Sequence, residues 1–301
     1  MTDIRNLDVN PPAVSLPVRL SPEQLDAFAR DGLLYLPAFF SAHEMQPAQR
    51  LVAHSMTLRD NSVEVIASTG VGAKLFGWSG NTNDMLGLYV RIARVIEVAE
   101  DLLGSERVYH WHSKLSMKPP HSDGKWDWHQ DYGSWYREGC LRPEMLTITI
   151  AVDACDDTNG CMKLVRGSHR LGRIHHGPLG ASQGADPDVV EHALRELEPV
   201  ECALDAGDAV VFHGNTLHAS GANRSERPRT LLHVSYNTVR NAPRKGMRNH
   251  HCTPLSKAPD DVLTEAPRLP DIDLVALGRH RDGWYVDRAT GSNVYGYTVQ
   301  R

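Results

Sequence analysis

Hydrophobic positions recur at two periods along the chain, and the change falls near residue 105. Before it the spacing is helical. In "SPEQLDAFARDG" Ser21 stands as N-cap, Pro22 at the first helical position, Gln24 closes a capping box and Gly32 terminates the helix. "GLLYLPAFF" reads as a short buried strand, after which Ser41 and Glu44 open a second capped helix through "EMQPAQRLVAHSMTLRD". "NDMLGLYVRIARVIEVAEDLLG" carries apolar residues at helical spacing and predicts a third helix ending before Gly104.

After residue 105 the period becomes two, in "VYHWHSKLSMK", "LTITIAVDAC", "GCMKLVRG", "GDAVVFHG" and "RTLLHVSYN", with turn signals at Asn159-Gly160 and Ala206-Gly207. Strands at this spacing without intervening helices predict an antiparallel jelly roll or barrel. The chain is thus mostly β with flanking α, the N-terminal helices packed on one sheet. Residues 1–17, with Pro11, Pro12 and Pro17, read as an extended lead-in, and 18–301 as a single domain, since no repeat or linker divides them.

Composition narrows the function. With 301 residues and 41% hydrophobic side chains the chain can build its own core. A net charge of −5 without a basic stripe argues against nucleic acid. No apolar run reaches the roughly 18 to 20 residues of a membrane span, and the first 20 residues lack an apolar signal core. Five cysteines without a CxxC suit a reducing compartment, so a soluble cytoplasmic protein is expected. The sixteen histidines matter more, because histidine is the commonest metal ligand.

In "WDWHQDYGSWYREG", if the run is extended, His129 and Asp131 point to one face. A second histidine, His218, stands in "NTLHASGANRSERPR" just after a predicted strand. Two histidines and a carboxylate form the facial triad of non-haem Fe(II) oxygenases, with the opposite face open. An HxD alone is weak evidence, its plainer reading being a surface ion pair or a turn. Arg229, eleven residues after His218, strengthens it, since a guanidinium is suited to clamp a dicarboxylate by paired charge-assisted bonds.

On "SPEQLDAFARDGLLYLPAFFS", "WHQDYGSW", "TNGCMKLVRGSHRLG" and "LHASGANRSERPR", the chain resembles the phytanoyl-CoA dioxygenase family of Fe(II)/2-oxoglutarate oxygenases, which includes ectoine hydroxylase. The resemblance implies a double-stranded β-helix, iron held by His129, Asp131 and His218, and 2-oxoglutarate and O2 as cosubstrates. It also implies Arg229 on the distal carboxylate of 2-oxoglutarate, assisted by Ser220. Trp135 resembles a tryptophan beside the iron centre, with core packing as the alternative. Lys74, in "GVGAKLFG", matches a lysine used near 2-oxoglutarate, with a solvated lysine as the alternative.

Other residues stay open on spacing alone. His110, His112, Lys114 and Ser116 share one strand face; inward, Lys114 reaches the cosubstrate and His112 the substrate, and outward all four are wet. His169 is read as a structural hydrogen-bonding residue, His213 as aimed away from the metal, and His233, Cys155 and Cys161 as core. The run "RNAPRKGMRNHH", with Arg240, Arg244, Lys245 and Arg248, is either a solvated loop or a gate that attracts an anionic substrate.

The expected activity is hydroxylation of an unactivated C–H of a small-molecule metabolite, with release of succinate and CO2. Halogenases of this type leave the carboxylate position empty, and Asp131 fills it here. The rivals are a cupin-like metal-dependent isomerase or hydrolase, which has no use for Arg229, and a non-catalytic metal-binding sensor of the same fold.

Overall fold

The computed structural model describes residues 1–6, 20–65, 72–79, 83–179, 182–244, 252–264 and 272. Its strands are β1 (Thr2–Asp3), β2 (Leu33–Leu36), β3 (Val63–Val65), β4 (Ala73–Trp78), β5 (Val108–Lys118), β6 (Trp126–His129), β7 (Met145–Ala151), β8 (Met162–Val165), β9 (His176–Leu179), β10 (Ser182–Ala185), β11 (Pro199–Cys202), β12 (Ala209–His213), β13 (His218–Ser220) and β14 (Arg229–Thr238). The helices are α1 (Pro22–Asp31), α2 (Ala42–His54), α3 (Met56–Asp60), α4 (Met85–Arg91), α5 (Ala93–Leu103), α6 (Asp131–Arg137) and α7 (Pro187–Glu196).

Two sheets face each other in a jelly roll. The larger runs β2-β12-β7-β14-β5-β4-β3, the smaller β1-β11-β8-β13-β6, and β9 with β10 forms a separate hairpin. Alternation divides the larger sheet cleanly. Leu34, Leu36, Ile148, Ile150, Val211, Leu232 and Val234 pack on one side with Leu86, Tyr89, Ile96 and Ala99 of the helices. On the other side Leu33, Val210, Phe212 and Leu231 meet Met162, Leu164, Val200 and Cys202 of the smaller sheet. Cys155 and Cys161 are buried there, as the sequence predicts.

The caps form as read: Ser21 with Gln24 and Ser41 with Glu44 close capping boxes, and Gly32 ends α1 in the left-handed region. Two long predicted helices are instead broken. Ser55 caps a new helix by accepting from the Leu58 N–H, which splits α2 from α3. At Ile92 the break is tertiary, because the Ala93 N–H donates to Ala258 O at 2.9 Å and the Ala258 N–H to Arg91 O at 2.7 Å. A distant segment thus takes over hydrogen bonds the helix would have kept. At the N-terminus Thr2 and Asp3 pair parallel with β11 and Ile4 is buried, while residues 7–19 of the expected lead-in lie outside the described residues. No helix among the described residues is long and apolar enough to cross a membrane.

Candidate metal centre

His129, Asp131 and His218 converge, each offering a ligand atom within 4.8 Å of the others. His129 ends β6 and pairs in register with His218 of β13, so backbone hydrogen bonding brings two residues far apart in sequence onto one spot. The run does not stay extended through Asp131. Gln130 is extended (φ −113°, ψ 133°) and Asp131 opens α6, so the carboxylate reaches the histidines from a strand-to-helix corner.

Asp131 Oδ1 lies 3.9 Å from His129 Nε2 and 3.7 Å from His218 Nε2. Ligand atoms bound at ~2.0–2.2 Å to one ion lie ~3–4 Å apart, so the set fits a single metal. Both rings are oriented from behind: His129 Nδ1 donates to Asp127 O at 2.8 Å and His218 Nδ1 to Thr216 O at 3.0 Å, leaving each Nε2 as the lone-pair donor. Burial pushes His129 down to about 3 and lowers His218 as well, so both are neutral near pH 7. Burial alone would raise Asp131, but the Lys114 ammonium, with the neighbouring imidazoles, holds it well below the usual carboxylate range. Its Oδ2 accepts from the Thr147 hydroxyl at 3.0 Å, which leaves Oδ1 toward the histidines.

Gln130, between the ligands, anchors the corner. Its amide donates to Gly172 O and Asn215 O, its Oε1 accepts from the Ile174 N–H, and its own N–H donates to His176 Nε2 at 2.8 Å. Burial pushes His176 down to about 4, and its Nδ1–H donates to Ile174 O, so Nε2 carries the lone pair that accepts from Gln130.

The two histidines open into a cavity. Lys114, Ser116, Trp126, His129, His218, Ser220, Arg229 and His233 contribute to its wall. Arg229 is 1% exposed, and its guanidinium donates to Gly160 O and to the carbonyl and hydroxyl of Ser116. Among the described residues no carboxylate forms an ion pair with it. Burial draws it down to about 10.

The other sequence candidates divide. Lys114 and Ser116 face inward, Lys114 Nζ lying 3.9 Å from Asp131 Oδ1. A bulge pairs Ser235 with His112 and Tyr236 with His110, so His110 leaves the face the other three share. Lys74 is exposed on β4 and does not reach the cavity, because its neighbour Leu75 takes the inward position. Trp135 is fully buried against Trp111 and His112, behind the cavity wall. His233 lines the cavity, its Nδ1 2.8 Å from Thr149 Oγ1, where the sequence reading had it filling the core. His169 contacts Ala29 O, and His213 Nδ1 accepts from the Asn215 N–H. Arg240 is held by Glu144 and Leu103 O, whereas Lys245 and Arg248 lie outside the described residues.

Sequence reasoning missed Thr147, Gln130, His176 and Lys118. For Thr147 a signal existed: "LTITIA" alternates, so Thr147 and Thr149 share a polar face that a buried strand must aim at a site. Gln130 and His176 meet only through the fold.

Two imidazoles and a carboxylate on one side of a point, with the other side open to a cavity, are the donor set of mononuclear non-haem metal enzymes. The fold and site place the chain in that class. It belongs to the phytanoyl-CoA dioxygenase family (PhyH), which it matches over residues 28–231, and is a 2-oxoglutarate-dependent non-haem iron dioxygenase. It is 30% identical over 240 residues to L-proline trans-4-hydroxylase of Streptomyces griseoviridis, covering 73% of this chain and 88% of that one. To the ectoine dioxygenase of Bordetella bronchiseptica it is 32% identical over 240 residues, covering 74% and 77%. Among solved structures, EctD from S. alaskensis in its apoform shares the fold with a TM-score of 0.66 at 23% identity, over 80% of this chain and 88% of that one. That protein has also been solved with bound Fe and with 2-oxoglutarate and 5-hydroxyectoine.

Proposed function

We propose that the protein hydroxylates an unactivated C–H of a small, polar metabolite, consuming 2-oxoglutarate and O2 and releasing succinate and CO2. His129 and His218 hold the iron through Nε2 and Asp131 through Oδ1. Arg229 and Ser220 receive the distal carboxylate of 2-oxoglutarate, and Lys114 lies toward its metal-binding end. The observation that carries this reading is Arg229: a guanidinium buried in the wall of the cavity, whose hydrogen-bond partners among the described residues are carbonyl and hydroxyl oxygens, is a seat for an anion that arrives with a ligand. A metal isomerase or hydrolase has no need of that seat.

Bound iron, with 2-oxoglutarate and O2, supplies the oxidising power. The chain's own groups orient and enclose. Thr147 fixes Asp131 so that one oxygen is presented and the other occupied, and Asp127 O and Thr216 O fix both imidazole tautomers. Phe212, packed 4.8 Å from the His218 ring, and Leu231 give the cavity an apolar stretch of wall. Asp131, occupying the carboxylate position, favours hydroxylation over halogenation. The relatives named for proline and ectoine support a compact, polar substrate. The test is succinate release across pools of amino acids, quaternary amines, aminophosphonates and acyl-CoAs. Substrate-dependent succinate is expected from an amino-acid-like compound, and no 2-oxoglutarate consumption with any pool counts against the proposal.

A further inference from the structure

Helix α6, which begins at the metal-facing aspartate, shares a small core with β5 whose buried members are Tyr109, Trp111, Tyr132, Trp135, Cys140 and Met145. Phenols, indoles, a thiol and a thioether are all side chains that give up electrons readily. The two larger cores rest chiefly on leucine, isoleucine and valine. Packing alone does not require the different composition here, since cores tolerate aliphatic side chains of matched volume.

The rings form a line. Trp135 lies one helical turn after Asp131, and its ring is 5.8 Å from that of His112, centroid to centroid. His112 Nε2 lies 3.5 Å from Ser235 Oγ, Ser235 Oγ lies 2.9 Å from Thr147 Oγ1, and Thr147 donates to Asp131. One end of the line is thus joined to a metal-facing residue through both the helix and hydrogen bonds. From Trp135 the next ring is Trp111 at 6.5 Å, and from Trp111 it is Tyr109, again at 6.5 Å, each pair edge to face. Electron tunnelling weakens exponentially with distance, so rings in contact carry charge far faster than a single jump over the same span.

The two ends of the line handle a proton differently. Among the described residues the Trp135 indole N–H has no acceptor. An oxidised indole that cannot shed its proton stays strongly oxidising and takes an electron from its neighbour. Tyr109 is the opposite case, for its oxygen accepts from Asn237 Nδ2 at 2.8 Å and its hydroxyl is hydrogen-bonded to the Cys252 thiol. The same Asn237 amide lies 3.4 Å from Cys140 Sγ. The line therefore ends at a phenol beside two thiols, and Cys252 is partly exposed, within reach of a soluble reductant.

We propose that this line is a protective relay: when the oxidising power generated at the metal finds no substrate, Trp135, Trp111 and Tyr109 conduct electrons to it from Cys140 and Cys252, which close a disulfide. The proposal rests on the function proposed above. One 2-oxoglutarate and one O2 give succinate, CO2 and a two-electron oxidising equivalent that carries the remaining oxygen atom. Two thiols supply two electrons and two protons, the S–S bond forms, and that oxygen leaves as water. A soluble thiol then reduces the disulfide by exchange and restores the pair.

The test gives the Fe(II)-loaded protein 2-oxoglutarate and air without substrate, with an anaerobic sample as control. Mass spectrometry measures succinate, the Cys140–Cys252 disulfide and oxygen added to aromatic residues, and freeze-quench electron paramagnetic resonance detects a phenoxyl radical. Wild type is expected to show the radical and to form up to one disulfide per succinate. In Tyr109→Phe the radical should be lost, the disulfide should fall to the anaerobic level, and oxygen should add to Trp135 or Trp111 instead. Succinate without disulfide in wild type, or disulfide formed equally in Tyr109→Phe, overturns the relay and leaves the functional reading standing. So does succinate formed only when a metabolite pool is present, since no oxidising power is then left over. If Tyr109→Phe does not fold, Cys252→Ser decides: its phenoxyl radical should outlive that of wild type, and an unaltered lifetime overturns the relay. Wild type that forms no succinate with or without the pools overturns the functional reading and the relay with it.

Discussion

Gly133 is the third residue of α6, the helix that begins at the metal-facing aspartate, and replacing it by alanine sets two rules against each other. In a helix interior Gly→Ala ordinarily stabilises by about 1 kcal/mol. Here the new Cβ would lie 2.4 Å from His176 Nδ1 and 2.5 Å from both Cε1 and Cγ, about 1 Å inside ordinary contact. If the ring stays, the overlap costs ~1–3 kcal/mol. If it moves away, the buried Gln130 N–H loses its acceptor, at a similar ~1–3 kcal/mol. With the ~1 kcal/mol of helix propensity subtracted, net destabilisation of up to ~2 kcal/mol follows, or a fall of a few degrees in Tm at ~2–4 °C per kcal/mol for a chain of this size. Thermal and urea unfolding of Gly133→Ala measure it. In a His176→Ala background the obstruction is gone, and Gly133→Ala should there be neutral or stabilising. A wild-type background in which Gly133→Ala raises Tm would refute the reasoning, because helix propensity would then have won and His176 would not be packed as described.

His129→Ala and His218→Ala should each abolish iron-dependent turnover and the absorbance that Fe(II) and 2-oxoglutarate produce together under anaerobic conditions; full activity in either variant removes that histidine from the ligand set. Arg229→Ala should raise the 2-oxoglutarate constant well over tenfold, from the ~2–5 kcal/mol lost when one partner of a buried charged pair is truncated, with Arg229→Lys impaired less; paired titrations of 2-oxoglutarate and Fe(II) separate cosubstrate binding from metal binding. Lys74→Ala should leave the 2-oxoglutarate constant unaltered, since its side chain is exposed away from the cavity, and a tenfold change would contradict that placement. Burial raises Asp31, but hydrogen bonds from Arg30 and Arg166 outweigh it and hold the carboxyl below its ordinary value. With the folded value depressed, its stabilisation is present above the unfolded carboxylate pKa of ~3.9 and lost as pH falls through the folded one. The Tm difference between wild type and Asp31→Asn should therefore be larger at neutral pH than in acid; a constant difference would rule out the linkage.

What the sequence made legible was whatever rests on local periodicity and capping. The ranges of β5 and β14 and both capping boxes follow from such signals. The triad was legible for a different reason, since two of its members are nearly adjacent and the third stands at a spacing that resembles a family. The missed features depend on distant chain. Nothing near Ile92 announces that Ala258 will take its neighbours' hydrogen bonds. Three-residue β13 is too short to show a period. Lys118 looks like a solvated strand end until Trp126 is folded over it. Helix α7 is the exception, for Asp186 as N-cap and Pro187 at the first position were there to be read.

Strand β6 stands at the end of its sheet, hydrogen-bonded among the described residues to β13 alone of the strands, and it carries the first metal-facing histidine as its last residue. An ion shared by His129 and His218 is therefore also a clasp across the final seam of the sheet. Binding to the closed form alone stabilises it by RT ln(1 + [L]/Kd), so the seam tightens with metal supply. Iron starvation would act on this chain first as a loss of mechanical closure at one margin, opening a short segment with lysine and aspartate at its start to proteases.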